Sequence, residues 1–223
     1  MGSKKIVCLA NSRKISGRCL AGKVIETNEW IRPVSNRDTE EISEEERRYK
    51  NGQMPQLLDI INIQIKEHKP KLFQNENYLI DDGFYWEKID CYNEDMMNLL
   101  DTPNDLWGTQ SSSYQGCNDR IPENIANNYS NSLYLIKPQS LNIIVREEGR
   151  EFGTPKRKVR AEFTYNNTKY CFPITDPIVE SNYLSGENGD FTLDIENIFL
   201  CLSIGLPYNN YCYKFVASII KIK

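Results

Sequence analysis

The chain has 223 residues, 39% of them hydrophobic and 26% charged, with a net charge of −4 and an isoelectric point near 5.3. That balance is ordinary for a folded globular protein with core enough for one large or two small domains, and it argues against a sequence-independent nucleic-acid coat, which needs a broad positive surface. No window has the apolar length of a membrane span and the N-terminus lacks a signal peptide's apolar core, so the expectation is a cytoplasmic protein with no membrane partner.

In chain order, residues 6–10, 18–25 and 30–34 read as three short strands, joined by a polar loop at 11–17 and a tight turn at 26–29. Gly17 is the residue of that loop expected to take positive φ. Residues 1–37 hold eight basic side chains against two acidic ones, so this is the one strongly basic island of an acidic chain. The sign then flips, with Asp38, Glu40, Glu41, Glu44, Glu45 and Glu46 inside nine residues. Ser43 and Glu46 have capping-box spacing, and Arg47, Arg48 and Lys50 suit the far end of a short helix that stops at Asn51-Gly52. That helix is either simply solvated or a shield over the basic face. Residues 57–65 and 78–80 read as further strands, 84–86 as aromatics serving either core or stacking, and 94–100 as a short helix capped by Asn93.

Residues 108–131 are rich in Ser, Asn, Gly and Gln, and a structureless stretch of that length points to binding or to a seam between two units. Beyond it, 133–136, 141–145, 199–204 and 213–222 read as strands. The clearest hairpin is 158–165, alternating Val159, Ala161, Phe163 and Tyr165 with polar residues, then the turn Asn166-Asn167, then 168–174. One helical turn is expected after Pro177. The expected architecture is mainly β: two consecutive OB-like Greek-key barrels with short helices, the first in residues 1–110, a connection in 111–131 and the second in 132–223.

The seven cysteines include no C-x-x-C pair and several sit in apolar runs, so they read as buried reduced thiols. His68 is the single histidine, and no metal cluster, phosphate-cradling glycine loop or nucleophile elbow appears. No cofactor and no catalytic residue is expected. Paired acids such as Asp119 and Asp176 could serve as general acid and base, yet these two lie far apart in sequence.

The stretches CLANSRKISGRCLAG (8–22), WIRPVS (30–35), SEEERRY and LLDI (43–60), ENYLID (76–81), SSSYQGCNDR (111–120), ITDP (174–177) and CLSIGLPYNNYCYKFVASII (201–220) resemble, in order, a bacterial family of largely uncharacterised proteins, the dual OB-containing domain. The resemblance implies two consecutive OB folds, a setting near bacterial stress and conflict systems, and nucleic-acid binding. SIGLPYN departs from the family's SLGEPFN pattern, with Leu206 where the family has an acid.

The leading functional expectation is a non-catalytic OB-type module for single-stranded DNA or RNA, or a nucleotide-like ligand, serving as an accessory component of a bacterial stress or defence system. OB folds bind along strands 2 and 3 and the adjoining loops, which here offer Asn11, Arg13, Lys14, Arg18, Lys23, Trp30 and Arg32. The cations suit phosphates and Trp30 suits a base, unless it is core. Tyr114, Asn118, Asp119 and Arg120 are the candidates from the loop. Two rival readings stay open: an adaptor recruiting a basic protein, such as a partner from the same operon, and a pocket for a small anionic metabolite around Asn11, Arg13 and Arg18.

Overall fold

The computed structural model describes residues 2–222, which divide into two compact units: one formed by the residues up to Leu100 together with Ser130–Ser132, the other by Asp101–Tyr129 and the residues from Leu133 on. The stretch expected as a connection therefore folds, from 111 to 129, with the second unit.

The first unit contains β1 (Ser3–Lys14), β2 (Gly17–Val24), β3 (Trp30–Val34), α1 (Glu44–Arg47), β4 (Asp59–His68), β5 (Asn77–Ile80) and β6 (Glu87–Cys91). The strands run β1-β2-β3-β5-β4, and β4 returns to β1, closing a five-stranded barrel. Only the β3–β5 pairing is parallel, and α1 stands between β3 and β4. This is the OB path. Alternation along β4 sends Ile61, Ile63 and Ile65 inward, where they meet Ile6, Cys8, Leu20, Ile31, Ile42, Ile80 and Trp86. Each buried isoleucine contributes about 1.5–3 kcal/mol of transfer free energy. Ser43 and Glu46 form the expected capping box on α1.

The 11–17 loop differs from expectation. β1 and β2 continue through it, paired to Lys14↔Gly17, so only Ile15 and Ser16 make the turn. Positive φ falls on Ile15 (43°) rather than on Gly17. Gly17 is required for another reason: a Cβ there would lie 2.6 Å from the Ile42 carbonyl oxygen.

The second unit contains β7 (Arg120–Pro122), α2 (Glu123–Ala126), β8 (Leu133–Ile136), β9 (Ser140–Glu148), β10 (Lys156–Tyr165), β11 (Thr168–Pro173), α3 (Pro177–Leu184), β12 (Gly189–Thr192), β13 (Ile198–Ile204) and β14 (Tyr211–Lys221). It repeats the OB path with its first strand broken at Lys137-Pro138-Gln139: β8 pairs with β13, while β9 pairs with β10. The parallel contact between β11 and β14, third and fifth strands of this barrel, shrinks to one bridge, Ile174–Val216. Residues 117–122 occupy the gap beside it. The Cys117 and Cys171 backbones form an antiparallel β-bridge at one side, both thiols remaining free, β7 pairs with β14 at the other, and the Lys214 amide donates to the Asp119 carbonyl at 2.8 Å. A half-open barrel is thus sealed by a segment that precedes it in sequence. The expected β10–β11 hairpin is present, its turn carried by Asn166 and Asn167 at φ 46° and 60°.

Candidate functional site

OB barrels bind ligands on the outer face of their second and third strands. In the first barrel that face is closed. Val7, Leu9, Ala21 and Lys23 are at most 2% exposed yet stand outside the interior cluster, so they point outward and are covered. The 3₁₀ turn Met96–Leu99 lies against this side: the Lys23 ammonium donates to the Leu99 carbonyl at 2.7 Å, and Asn28 donates to the Asn98 carbonyl. Lys23 also sits 5.2 Å from the centre of the Trp30 ring.

Arg32 is buried as well. Its guanidinium pairs with Glu76 at 3.0 Å and donates to the Ser132 hydroxyl at 2.8 Å and to Asn77, while its amide donates to the Glu76 carbonyl. Lys23 and Arg32 are therefore internal cations, without the exposure that a phosphate contact needs. Arg13 is exposed, Lys14 and Arg18 are half-buried, and Asn11 donates to the Pro55 carbonyl. These residues gather at the α1 end of the barrel, away from Lys23, Trp30 and Arg32.

The corresponding face of the second barrel is open. Lys156, Lys158 and Arg160 project from one side of β10, opposite Glu148 and Arg146 of β9 and Pro173 of β11. They line a groove of about 460 Å³ whose walls are Ser113–Asp119 on one side and the β9–β10 loop on the other. That loop is a compact 3₁₀ turn held between Gly149 and Gly153, both in the left-handed region. At Gly149 a Cβ would sit 2.6 Å from the Thr154 carbonyl oxygen. Tyr114 and Phe152, 74% and 71% exposed, meet edge to face with ring centres 6.1 Å apart.

Beneath them Arg160 is held by two carboxylates. Glu148 accepts from Nε at 2.6 Å and from Nη2 at 3.1 Å, and Asp119 accepts from Nη1 at 3.3 Å. Burial alone would lower the Arg160 pKa, but the bonded Glu148 carboxylate outweighs it and raises the value above the ordinary one. Asp119, 1% exposed, also accepts from the Ser113 amide at 2.6 Å and from the Ser113 hydroxyl. By contrast the side chains of Lys156 and Lys158 have no hydrogen bond or ion pair among the described residues, so two ammonium groups stand available at the floor.

Of the four loop candidates, Tyr114 and Asp119 line the groove. Asn118, at φ 53°, is a loop fastener: its side chain accepts from the Gln110 amide and donates to the Lys169 carbonyl. Arg120 stacks 4.0 Å over the Tyr211 ring. Asp176 caps α3, accepting from the Ile178 and Val179 amides. Lys156, Lys158, Arg160 and Phe152 also line the groove and are not among the residues expected from the sequence, although the alternation of 158–165 already puts Lys158 and Arg160 on one outward face.

A closed OB barrel followed by a half-open one defines an OB-type binding module. The chain belongs to the dual OB-containing domain family, whose profile matches residues 4–219. No curated protein and no solved structure gives a significant match. No helix among the described residues is long and apolar enough to cross a membrane.

Proposed function

We propose that this protein is a non-catalytic binding module for single-stranded nucleic acid or a nucleotide-like ligand, and that the ligand lies in the groove of the second barrel. One observation carries this reading: two unpaired lysines and two exposed aromatic rings surround an open groove on the strand 2–3 face, while the same face of the first barrel is covered. Lys156 and Lys158 contact phosphates, and Tyr114 and Phe152 stack bases, each stack worth about 1–3 kcal/mol. Binding without catalysis fits the fixed state of Asp119 and Glu148, whose carboxylates are tied to Arg160. The setting carried with this proposal is the accessory one implied by the family resemblance, in a bacterial stress or defence system.

The acidic segment gives little support to an adaptor for a basic protein. Glu41 is 3% exposed, Glu40 pairs with Lys71, and Glu46 is spent on the capping box and on Ser35. What remains of the charge run is not a free acidic lobe.

The test is fluorescence anisotropy with labelled single-stranded DNA and RNA at several salt concentrations, comparing the protein with a Lys156→Ala/Lys158→Ala variant. The variant is expected to bind more weakly and to lose about 1.4 from the slope of log K against log salt, two phosphate contacts at about 0.7 each. Absence of binding at low salt, or a variant indistinguishable from the parent, would overturn the assignment of this groove.

A further inference from the structure

Two of the seven cysteines stand directly opposite each other in the second unit. The Cys117 amide donates to the Cys171 carbonyl at 3.3 Å and the Cys171 amide to the Cys117 carbonyl at 2.9 Å, so the bridge is a hydrogen-bonded antiparallel pair. Such a pair holds its Cα atoms about 5.5 Å apart. That lies inside the roughly 4.4–6.8 Å between Cα atoms that a disulfide spans. Residues directly opposite also send their side chains to the same face. The other five cysteines are placed differently: Cys8, Cys19, Cys91, Cys201 and Cys212 oppose Gly22, Ser12, Asp59, Ser218 and Ile121 in their ladders.

The shared face is the outer one, beside the groove. Along β11, Tyr170 and Phe172 turn inward against Phe163, while Cys171 and Pro173 turn outward and Pro173 lines the groove. Cys171 is nevertheless 6% exposed, because the wall segment lies over it and its thiol donates to the Gln115 carbonyl at 4.0 Å. Cys117 is half-buried and can be reached from solvent. Burial raises both thiols above their ordinary value, Cys171 to about 11, with Lys169 opposing at Cys117 and Arg160 at Cys171. Both therefore rest as thiols near neutral pH.

Only the sulfur rotamers separate this pair from a bond. The Cys117 thiol donates to the Lys169 carbonyl at 3.4 Å, two residues before Cys171, and the Cys171 thiol to Gln115, two residues before Cys117. In an antiparallel pair those carbonyls lie at opposite ends of the bridge, so the sulfurs point apart. Thiols are weak donors, and a turn of each χ1 to another staggered well faces the sulfurs toward each other with little backbone movement.

We propose that Cys117 and Cys171 are a redox-active dithiol, closed into a disulfide by a low-molecular-weight disulfide such as oxidised glutathione, and that the bond fastens the wall of the groove to β11. The Cys117 thiolate attacks one sulfur of the oxidant, whose other sulfur leaves as a thiolate. The Cys171 thiolate then attacks the Cys117 sulfur of the mixed disulfide and expels the second. The two protein thiols lose two electrons and two protons, and both appear in two molecules of the small reduced thiol. In the reduced state the wall is held by hydrogen bonds and the Asp119–Arg160 pair; in the oxidised state it is tied covalently and its opening is suppressed. This device does not depend on what the groove binds.

The experiment equilibrates the full chain with reduced and oxidised glutathione at a series of ratios, quenches by alkylation, and reads intact mass and peptides. The parent is expected to lose the mass of two hydrogens, with Cys117 and Cys171 linked, and to return to the dithiol on reduction. Cys171→Ala should halt at a mixed disulfide on Cys117, and Cys117→Ser, altering only the more accessible thiol, should form no linked pair. Amide exchange across 113–119 should slow about tenfold or more in the oxidised parent and stay unchanged by oxidant in Cys117→Ser. A parent that stays a dithiol or stops at the mixed disulfide at the most oxidising ratio would overturn the site, as would a link between other cysteines. Equal exchange across 113–119 in the reduced and oxidised parent would overturn the fastening of the wall.

Discussion

Asp119 and Arg160 meet at 3.3 Å on the outer face of the second barrel, and through that contact the loop before β7 is fastened to the floor of the groove. The same carboxylate receives the Ser113 amide and hydroxyl, so one buried acid fixes both the wall and the cation beneath it. Gly116 makes this possible: a Cβ there would lie 1.9 Å from Asp119 Oδ2. Gly116→Ala is expected to dislodge the carboxylate, cost about 1–3 kcal/mol, and speed amide exchange across 113–119. Unchanged exchange in that segment would show that the wall is held by something else.

Glu76 is the buried counter-charge of Arg32, and the two come from ENYLID and WIRPVS, stretches that carry the family resemblance. Glu76→Ala should cost about 3–5 kcal/mol in denaturant unfolding of the first unit, because it leaves the buried Arg32 guanidinium without its counter-charge. Replacing both, as Arg32→Met/Glu76→Leu, should recover most of that loss. A double variant no better than the single one would show that Ser132 and Asn77, rather than the charge pair, carry the stability.

Asp59 is a comparable fastener at the far end of the same barrel. It accepts from the Tyr49 hydroxyl at 2.8 Å, the Gln56 amide at 2.9 Å and the Lys88 ammonium at 2.6 Å. Asp59→Ala leaves the buried Tyr49 hydroxyl without its acceptor and frees the Gln56 amide, and should cost about 1–3 kcal/mol, whereas Lys88→Ala, removing a half-exposed partner, should cost about 1 kcal/mol or less. Similar losses from the two substitutions, measured by chemical denaturation, would contradict that ranking.

Lys214 gives the stability an alkaline signature. Its side chain is buried, donates to the Gly108 carbonyl at 2.6 Å, and burial lowers its pKa from 10.5 to about 8. Between those values the unfolded chain binds the extra proton, so this residue makes stability rise with pH from about 8 upward. Buried thiols act in the opposite sense: Cys171 and Cys212 are raised to about 11 and Cys8 to about 12, so their protonated folded forms lose ground once free thiols ionise near 9. The expected profile rises through pH 8 and turns over near 9. Lys214→Met should abolish the rise and keep the fall, and side-chain NMR of the parent should find the Lys214 ammonium titrating near 8. A midpoint above 10 would remove the basis of this profile.

Local pattern carried much of the architecture. Alternation in 158–165 and the Asn166-Asn167 turn announce the β10–β11 hairpin, and the Ser43–Glu46 spacing announces α1. The basic island at 1–37 was equally visible, yet its exposure was not. Whether Lys23 or Arg32 faces solvent is decided by Leu99 and Glu76, which sequence distance hides. The loop before β7 was opaque for a different reason. It is organised by side chains bonding to backbone, around Asp119 and Asn118, and such bonds leave no period. The edge strands β6, β7 and β12 are short and mostly polar, so they too gave no pattern. The groove is split between these cases, with a floor legible in the alternation of β10 and walls that were not.

The seal between β11 and β14 has a kinetic consequence. Residues 117–122 emerge during synthesis well before either strand they join, and β14 contributes pairings to β7 and β13 and the bridge to β11. Contacts so distant along the chain demand a large loop-closure entropy before any stabilisation is returned, which slows folding. The second unit should therefore remain an open, unsealed sheet until residues 211–221 have left the ribosome. Its refolding rate, rather than that of the first barrel, should respond most to changes in β14.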